Sequence, residues 1–250
     1  MTLLFLHGII QKMKNKIVSW IRKQLKQADT KGVVLGLSGG IDSSVAAALV
    51  KDAVGKNRVL GLLLPCHSQE RDLEDARIIA KRLGIKAELI DLSCAYDNLL
   101  KVLPKASNLA QANLKARLRM SVLYYFANKK NYLVCGTGNK SELEVGYFTK
   151  YGDGGVDILP LGGLLKKDVK AIAKKLGVPK HIITKPPTAG LWPGQTDEAE
   201  MGITYKELDD ILERIEGKKR QVLPREKVNK VREMVQRSEH KRQGPKICYI

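Results

Sequence analysis

Apolar residues recur at Ile10, Met13, Ile17, Trp20, Ile21 and Leu25, with lysines filling the opposite side. That helical period predicts an amphipathic helix over residues 9–28. The apolar stretch before it, "MTLLFLHG", has no basic residue ahead of it and no small-residue cleavage site, so it reads as a fraying end rather than a signal peptide. Short apolar runs at 33–37 and 59–64 predict buried strands, separated by an alanine-rich helix at 42–54. A charged amphipathic helix follows at 69–83 and stops at Gly84, a helix C-cap signal. A third strand is expected at 86–92 and a fourth at 132–135. Between them runs a long helix, 106–129, with Leu109, Ala112, Ala116, Met120 and Leu123 on one side. Helices at about 168–176, 204–216 and 225–239 complete the pattern, parted by long loops rich in glycine, proline and charge.

Strands alternating with helices specify βαβ units. The expected fold class is therefore α/β, a Rossmann-like open parallel sheet with helices on both faces. A chain of 250 residues can be one large domain or two small ones at roughly 100–200 residues each, and residues 1–250 are read as a single domain. No apolar run approaches the ~20 residues that span a bilayer. Cys66, Cys94, Cys135 and Cys248 are scattered, with no Cys-x-x-Cys pair. Isolated thiols fit a reducing, cytoplasmic compartment and exclude a zinc knuckle of the paired-cysteine type. The net charge is +18, with 12 Lys/Arg against 4 Glu in residues 214–246 alone. Such a balance suits a cation-rich solvated surface or phosphate-bearing ligands. Only 5% of residues are aromatic, which leaves few stacking platforms and argues against nucleic acid as the partner.

The most informative stretch is "VVLGLSGGIDSS", residues 33–44. It lies where a parallel sheet binds ligands, at the carboxyl end of a strand. Paired glycines allow a sharp turn and close backbone approach. Their amides, with the following helix N-terminus, form an anion site to which Ser38, Ser43 and Ser44 can add hydroxyls. Asp42 is the odd member. A carboxylate beside phosphates is repulsive unless a cation stands between them, which makes Asp42 a candidate Mg²⁺ ligand. The loop is neither a Walker A sequence nor a Gly-x-Gly-x-x-Gly fingerprint. Read alone, it is also compatible with an ordinary capped strand-to-helix turn.

Four further segments carry candidate chemistry. In "NLKARLRM", Asn113 and Arg117 share a helix face, and Arg117 suits a bidentate phosphate or carboxylate. "CGTGNKSELEVGYFTKYGDGGVDILP" begins at the end of the fourth strand, on the same rim as the glycine loop. There Thr137 and Glu142 sit at the start of a helix. Glu142 is either a second Mg²⁺ ligand or a charge favoured by the helix dipole. Lys150, Asp153 and Asp157 follow in a glycine-rich turn, where turn roles for the aspartates are the alternative. The last two segments are "KPPTAGLWPGQTDEAEMGITYKELD" and "SEHKR".

The string "SGGIDSS" resembles the pyrophosphate loop of the N-type ATP pyrophosphatases. "SGGIDS", "NxxAR", "GTxNKSE", "FTKYGDGGxD", "KPPTAxLWxGQTDE" and "HKR" together resemble the ammonia-dependent NAD synthetases, in that family's order from about residue 30 to 245. The resemblance implies that deamido-NAD, ATP and ammonia become NAD, AMP and pyrophosphate through an acyl-adenylate, with Mg²⁺ as cofactor and ATP as co-substrate. It implies ATP contacts from Gly36, Leu37, Ser38, Gly39, Gly40, Ile41, Asp42, Ser43, Thr137, Lys166 and Thr188. It places deamido-NAD on Arg117, Lys150, Asp153, Asp157, His240 and Lys241, and Mg²⁺ on Asp42 and Glu142. No side chain is expected to act as a covalent nucleophile. The family is typically a homodimer, for which the helices near 9–28 and 106–129 are interface candidates.

The chain departs from the family pattern at two places. Gly190 stands where many members carry Asp, and "LLLPCHSQERDLEDA" lacks the arginine some members place before Leu-Pro, so no adenine contact is assigned there. No glutaminase domain is visible, so free ammonia or ammonia from a partner is the expected nitrogen source. The competing expectations are tRNA thiolation on the same scaffold, which paired cysteines or an RNA module would mark, a nucleotide-binding module without turnover, and a basic nucleic-acid binder.

Overall fold

A computed structural model describes residues 2–190, 192, 194–218 and 223–248. Pro193, part of the expected proline-rich loop, lies outside them. The first helix, α1, runs Thr2–Gln27. It starts well before the expected residue 9, because "TLLFLH" contains no proline or stop signal to fray it. The strands β1 (Gly32–Gly36), β2 (Val59–Leu63), β3 (Lys86–Leu89) and β4 (Tyr132–Cys135) form one sheet in the order β3-β2-β1-β4. Every pairing is parallel, with Val33 opposite Val59 and Leu133. β3 is shorter than expected. Its residues are mostly exposed at the sheet edge, so little burial holds a longer strand.

The helices α2 (Ile41–Val54), α3 (Glu70–Leu83), α4 (Ser93–Val102) and α5 (Asn108–Lys130) connect the strands. α4 was not expected from the pattern. Its short span merged with the run after the third strand. Alternation along the strands sorts side chains between two layers. Val33, Leu35, Val59 and Leu63 face a core shared with α1, α2 and α3, while Val34, Leu60, Leu62 and Val134 face α4 and α5. Burying both faces makes the residues of β1 and β2 costly to truncate. Leu35 is fully buried, and Leu35→Ala is expected to cost about 2–5 kcal/mol.

Beyond β4 come α6 (Lys140–Val145), α7 (Lys166–Lys175), α8 (Lys180–Thr184), α9 (Asp197–Met201), α10 (Tyr205–Ile215) and α11 (Arg225–Arg242). α7 joins the core on the α2 side through Val169, Ile172 and Ala173. α6, α10 and α11 enclose a separate apolar cluster of Val145, Leu208, Ile211, Leu212, Val228 and Val231. α6, the helix expected to start around Glu142, is only six residues long, and the five-residue α8 and α9 lie where no helix is expected. Helices this short have no period to read and depend on tertiary packing.

The chain winds β1, β2, β3 in one direction, then α5 carries it back across to place β4 on the other side of β1. The order of the sheet therefore reverses between β1 and β4, the position where open parallel sheets bind ligands. The glycine loop leaves β1 on one side of that crevice, and the segment leading to α6 leaves β4 on the other.

Candidate active site

Gly39 bends the loop after β1 with φ of +75°, a left-handed conformation that L side chains avoid. A Cβ there would also lie 2.3 Å from the Asp72 carbonyl oxygen. Gly40 caps α2 from an extended conformation, with no side-chain cap. The Ser43 and Ser44 hydroxyls donate to the Gly40 carbonyl at 3.0 and 2.7 Å, and both residues are buried. They build the loop from within. Ser38 is exposed, and its Oγ lies 3.1 Å from Ser43 Oγ and accepts from the Gly40 amide. Ser38 is thus the exposed hydroxyl of the loop, beside the amides at the head of α2, which lack an intrahelical partner. Leu37 and Ile41 are buried beside them and Gly36 ends the strand, so these three shape the loop through backbone and packing.

Asn139 caps α6, accepting from the Glu142 amide, and Glu142 Oε2 accepts from the Asn139 amide in return, a capping box. The Asn139 side chain also donates to Asp42 Oδ1 at 3.0 Å, joining the two sides of the crevice. Lys166, the first residue of α7, completes the cluster. Its Nζ lies 2.6 Å from Asp42 Oδ2 and 3.0 Å from Glu142 Oε1, and the residue is 2% exposed. Burial alone would pull the Lys166 ammonium down, but the Asp42 and Glu142 charges hold it above its ordinary value. Burial raises Glu142 to about 7 even though Lys166 opposes the shift, and Asp42 pushes it up further.

Tyr205 closes the floor. Its ring centroid is 4.6 Å from Lys166 Nζ, and its hydroxyl lies 3.0 Å from Glu142 Oε1 and 2.9 Å from Asp197 Oδ2. Behind Lys166, buried Asp209 on α10 accepts from the Lys167 amide at 2.9 Å and from the Ser141 hydroxyl, while Ser141 Oγ accepts from the Lys166 amide at 3.0 Å. A carboxylate at a helix N-terminus offsets the positive end of α7, where two lysines follow one another.

A second cluster lies on the rim. Arg117 donates to the Lys150 carbonyl at 3.3 Å, and its helix neighbour Asn113 accepts from the Thr149 hydroxyl at 2.6 Å. Asp153 accepts from the Thr149 amide at 2.8 Å. The Lys150 ammonium donates to the His240 and Gln243 carbonyls, and the Lys241 ammonium donates to the Gly146 and Phe148 carbonyls at 2.8 and 3.0 Å. Each lysine thus satisfies main-chain acceptors at the end of the other's helix or turn. His240 is exposed, its Nδ1 3.2 Å from the Arg237 carbonyl. Asp157 is committed elsewhere, accepting from the Val134 amide at 2.7 Å and the Tyr124 hydroxyl at 2.9 Å. Thr137 lies between β4 and α6, half-buried, and Thr188 is exposed with its Oγ1 accepting from the Gly190 amide.

The structure therefore joins Asp42, Glu142 and Lys166 directly, and Arg117, Lys150, Asp153, His240 and Lys241 through one hydrogen-bonded turn. It leaves Asp157 and Thr188 outside both clusters. Asn139, Tyr205, Asp197, Ser141 and Asp209 were missed by sequence reasoning. Only Asn139 carried a local signal, the Asn-x-x-Glu spacing of a capping box. Among the described residues no group of three or more His, Cys, Asp or Glu side chains is arranged to hold a metal. Two carboxylates converging on one cation nevertheless suit Mg²⁺, which is commonly held by one or two carboxylates plus substrate phosphates.

A sequence model described as NAD synthase matches residues 13–245. The chain is similar to an NH(3)-dependent NAD(+) synthetase of Carboxydothermus hydrogenoformans, 48% identical over 93% of this chain and 95% of that one. Among solved structures it resembles an NMN synthetase from Francisella tularensis (TM-score 0.89, 38% identity, 96% of this chain and 99% of that one). It also resembles an NH3-dependent NAD synthetase from Campylobacter jejuni in complex with the nitrate ion (TM-score 0.83, 32% identity, 96% and 99%). The glycine loop, the paired carboxylates beside it and the match over residues 13–245 agree, and the chain belongs to the NAD synthase family.

Proposed function

We propose that this chain amidates the nicotinate carboxylate of deamido-NAD with ammonia, consuming ATP and releasing AMP and pyrophosphate, the last step of NAD biosynthesis. The single observation that carries the reading is the Asp42–Glu142–Lys166 cluster beside the Ser38–Gly39–Gly40 loop. A carboxylate is a poor electrophile because it is negatively charged and lacks a leaving group. Attack of that carboxylate on the α-phosphorus of ATP gives an acyl-adenylate, from which AMP can leave when ammonia attacks.

In this reading the loop amides and Ser38 hold the outer phosphates. Lys166 stabilises charge as it develops on departing pyrophosphate. Asp42 and Glu142 would hold Mg²⁺, which supplies charge neutralisation on the phosphates. Arg117, Lys150, Asp153, His240 and Lys241 form the rim that receives deamido-NAD. The family match over residues 13–245 favours this synthetase over thiolation or a silent nucleotide binder. We read the chain as one synthetase unit that takes ammonia directly.

The likeness to an NMN synthetase favours one variant reading, in which nicotinate mononucleotide is the acid substrate. The chemistry at the carboxylate is unchanged and only the attached nucleotide is shorter. One assay separates the readings: purified protein with ATP, Mg²⁺ and ammonium, offered deamido-NAD or nicotinate mononucleotide, scored for the amide and AMP. Turnover of deamido-NAD is expected to dominate, and AMP formation with neither acid would overturn both.

We also propose a cytoplasmic homodimer. Leu109 and Tyr125 on α5 and Val102 at the end of α4 are exposed large apolar side chains, which suit a covered face. Cys66, Cys94, Cys135 and Cys248 are all unpaired, which suits a reducing compartment. Among the described residues no helix is long and apolar enough to cross a membrane. Light scattering reads the oligomeric state directly.

A further inference from the structure

The turn of α3 that carries Asp72 and Asp75 lies directly behind the glycine loop. A Cβ on Gly39 would sit 2.3 Å from the Asp72 carbonyl oxygen and 2.9 Å from Asp75 Cβ. The helix turn that carries these two carboxylates therefore packs against a loop read as a cradle for phosphates. Asp75 is almost fully buried. Left bare, such charges would oppose an anionic ligand and would themselves be costly to bury.

One residue answers both. Lys185 Nζ lies 2.6 Å from Asp72 Oδ1 and 2.6 Å from Asp75 Oδ2, and its side chain is 18% exposed. His181 Nε2 lies 2.9 Å from the other Asp75 oxygen. Burial works against both ionisations, yet Lys185 and His181 hold Asp75 below the usual carboxylate range, and the two carboxylates hold Lys185 above the usual lysine range.

Lys185 also opens the segment that contains Thr188. Pro186 and Pro187 lie between them and restrict the path, because proline fixes φ. The far side of the segment is tied down too, since the Asp197 amide donates to the Pro187 carbonyl at 3.0 Å. Asp197 in turn meets Tyr205, which touches Glu142. The segment is thus anchored at one end to the back of the phosphate loop and at the other to the paired carboxylates.

We propose that Lys185 is a positioning residue for ATP: its ammonium neutralises Asp72 and Asp75 behind the phosphate loop and so ties the Thr188 segment to that loop. The proposal rests on the reading of the loop as an ATP cradle. It makes the order of the Thr188 segment and the affinity of the loop for phosphates depend on each other, as linkage requires.

The test is calorimetric titration of the full chain with Mg²⁺ and a non-hydrolysable ATP analogue, with thermal melting to confirm that each variant folds. Lys185→Met is expected to weaken binding about tenfold, within the usual range for coupled sites. D72N/D75N/K185M is expected to recover part of that loss, because the uncovered charges are gone while the tie to the Thr188 segment stays broken. Asp72→Asn alone keeps the Asp75 contact and is expected to bind at least as tightly as the parent. The proposal is overturned if Lys185→Met binds normally, if the triple variant stays as weak as Lys185→Met, or if Asp72→Asn binds more weakly. A parent chain that fails to bind the analogue at all would instead remove the ATP reading beneath it.

Discussion

Lys166 Nζ lies between Asp42 and Glu142, 2.6 Å from an oxygen of the first and 3.0 Å from an oxygen of the second. The ammonium stands where two carboxylates from opposite sides of the crevice converge. A nucleotide with its cation would compete for the same carboxylates and free Lys166 to turn toward phosphate.

Lys166→Met is therefore expected to remove charge stabilisation while leaving two carboxylates facing each other. AMP and pyrophosphate release should fall by about 10²-fold or more, the size of losing one preorganised charge donor. Asp42→Ala should likewise nearly abolish AMP release. Circular dichroism checks that the fold persists, and near-normal turnover in either variant would break the assignment.

Burial pushes the Glu142 carboxyl up to about 7 against the pull of the Lys166 ammonium, and Asp42 adds to the rise. Because the folded value of Glu142 lies above the ordinary carboxyl value, ionising it costs stability as pH rises through that window. Cation binding needs the ionised form. The Mg²⁺ concentration for half-maximal rate should fall up to about tenfold per pH unit below 7 and level off above it. Measuring that constant from pH 6 to 8 tests this, and Glu142→Gln should flatten the dependence.

Asp209→Ala removes the acceptor for the Lys167 amide and the partner of the Ser141 hydroxyl. Leaving buried donors unmet costs about 1–3 kcal/mol each. A lowered melting temperature is expected, together with a rise in the ATP KM larger than that for deamido-NAD, because α7 carries Lys166.

Lys241→Met deletes the donor that holds the Gly146 and Phe148 carbonyls. It should raise the KM for deamido-NAD several-fold while leaving equilibrium binding of an ATP analogue unchanged. Steady-state kinetics with each substrate varied, beside the binding titration, separates the two effects.

The parallel sheet was legible because β1 and β2 are buried on both faces and read as continuous apolar runs, as at 33–37 and 59–64. The glycine loop was legible because sharp turns demand particular residues. Asp42 and Glu142 were legible as candidates from local chemistry, an acid in an anion loop and an acid at a helix start, whereas Lys166 was singled out by motif resemblance alone, since residues this far apart in sequence share no local signal. Tyr205, Asp197 and Asp209 stayed hidden for the same reason. Tyr205 and Asp209 owe their roles to the packing of α10 against α6 and α7, and Asp197, on α9, to its contact with Tyr205, which no spacing encodes. α4, α8 and α9 were missed because one to three turns of helix carry too little periodicity to separate from loop.

α6 is six residues long, too short to hold its shape alone in water. Arg242, in the last turn of α11, donates to the Leu143 and Glu144 carbonyls at 3.0 and 2.6 Å and so secures that helix from outside. The seat of Glu142 opposite Asp42 thus depends on a side chain far from it in sequence, and a change at Arg242 would reach the carboxylate pair through the backbone of α6.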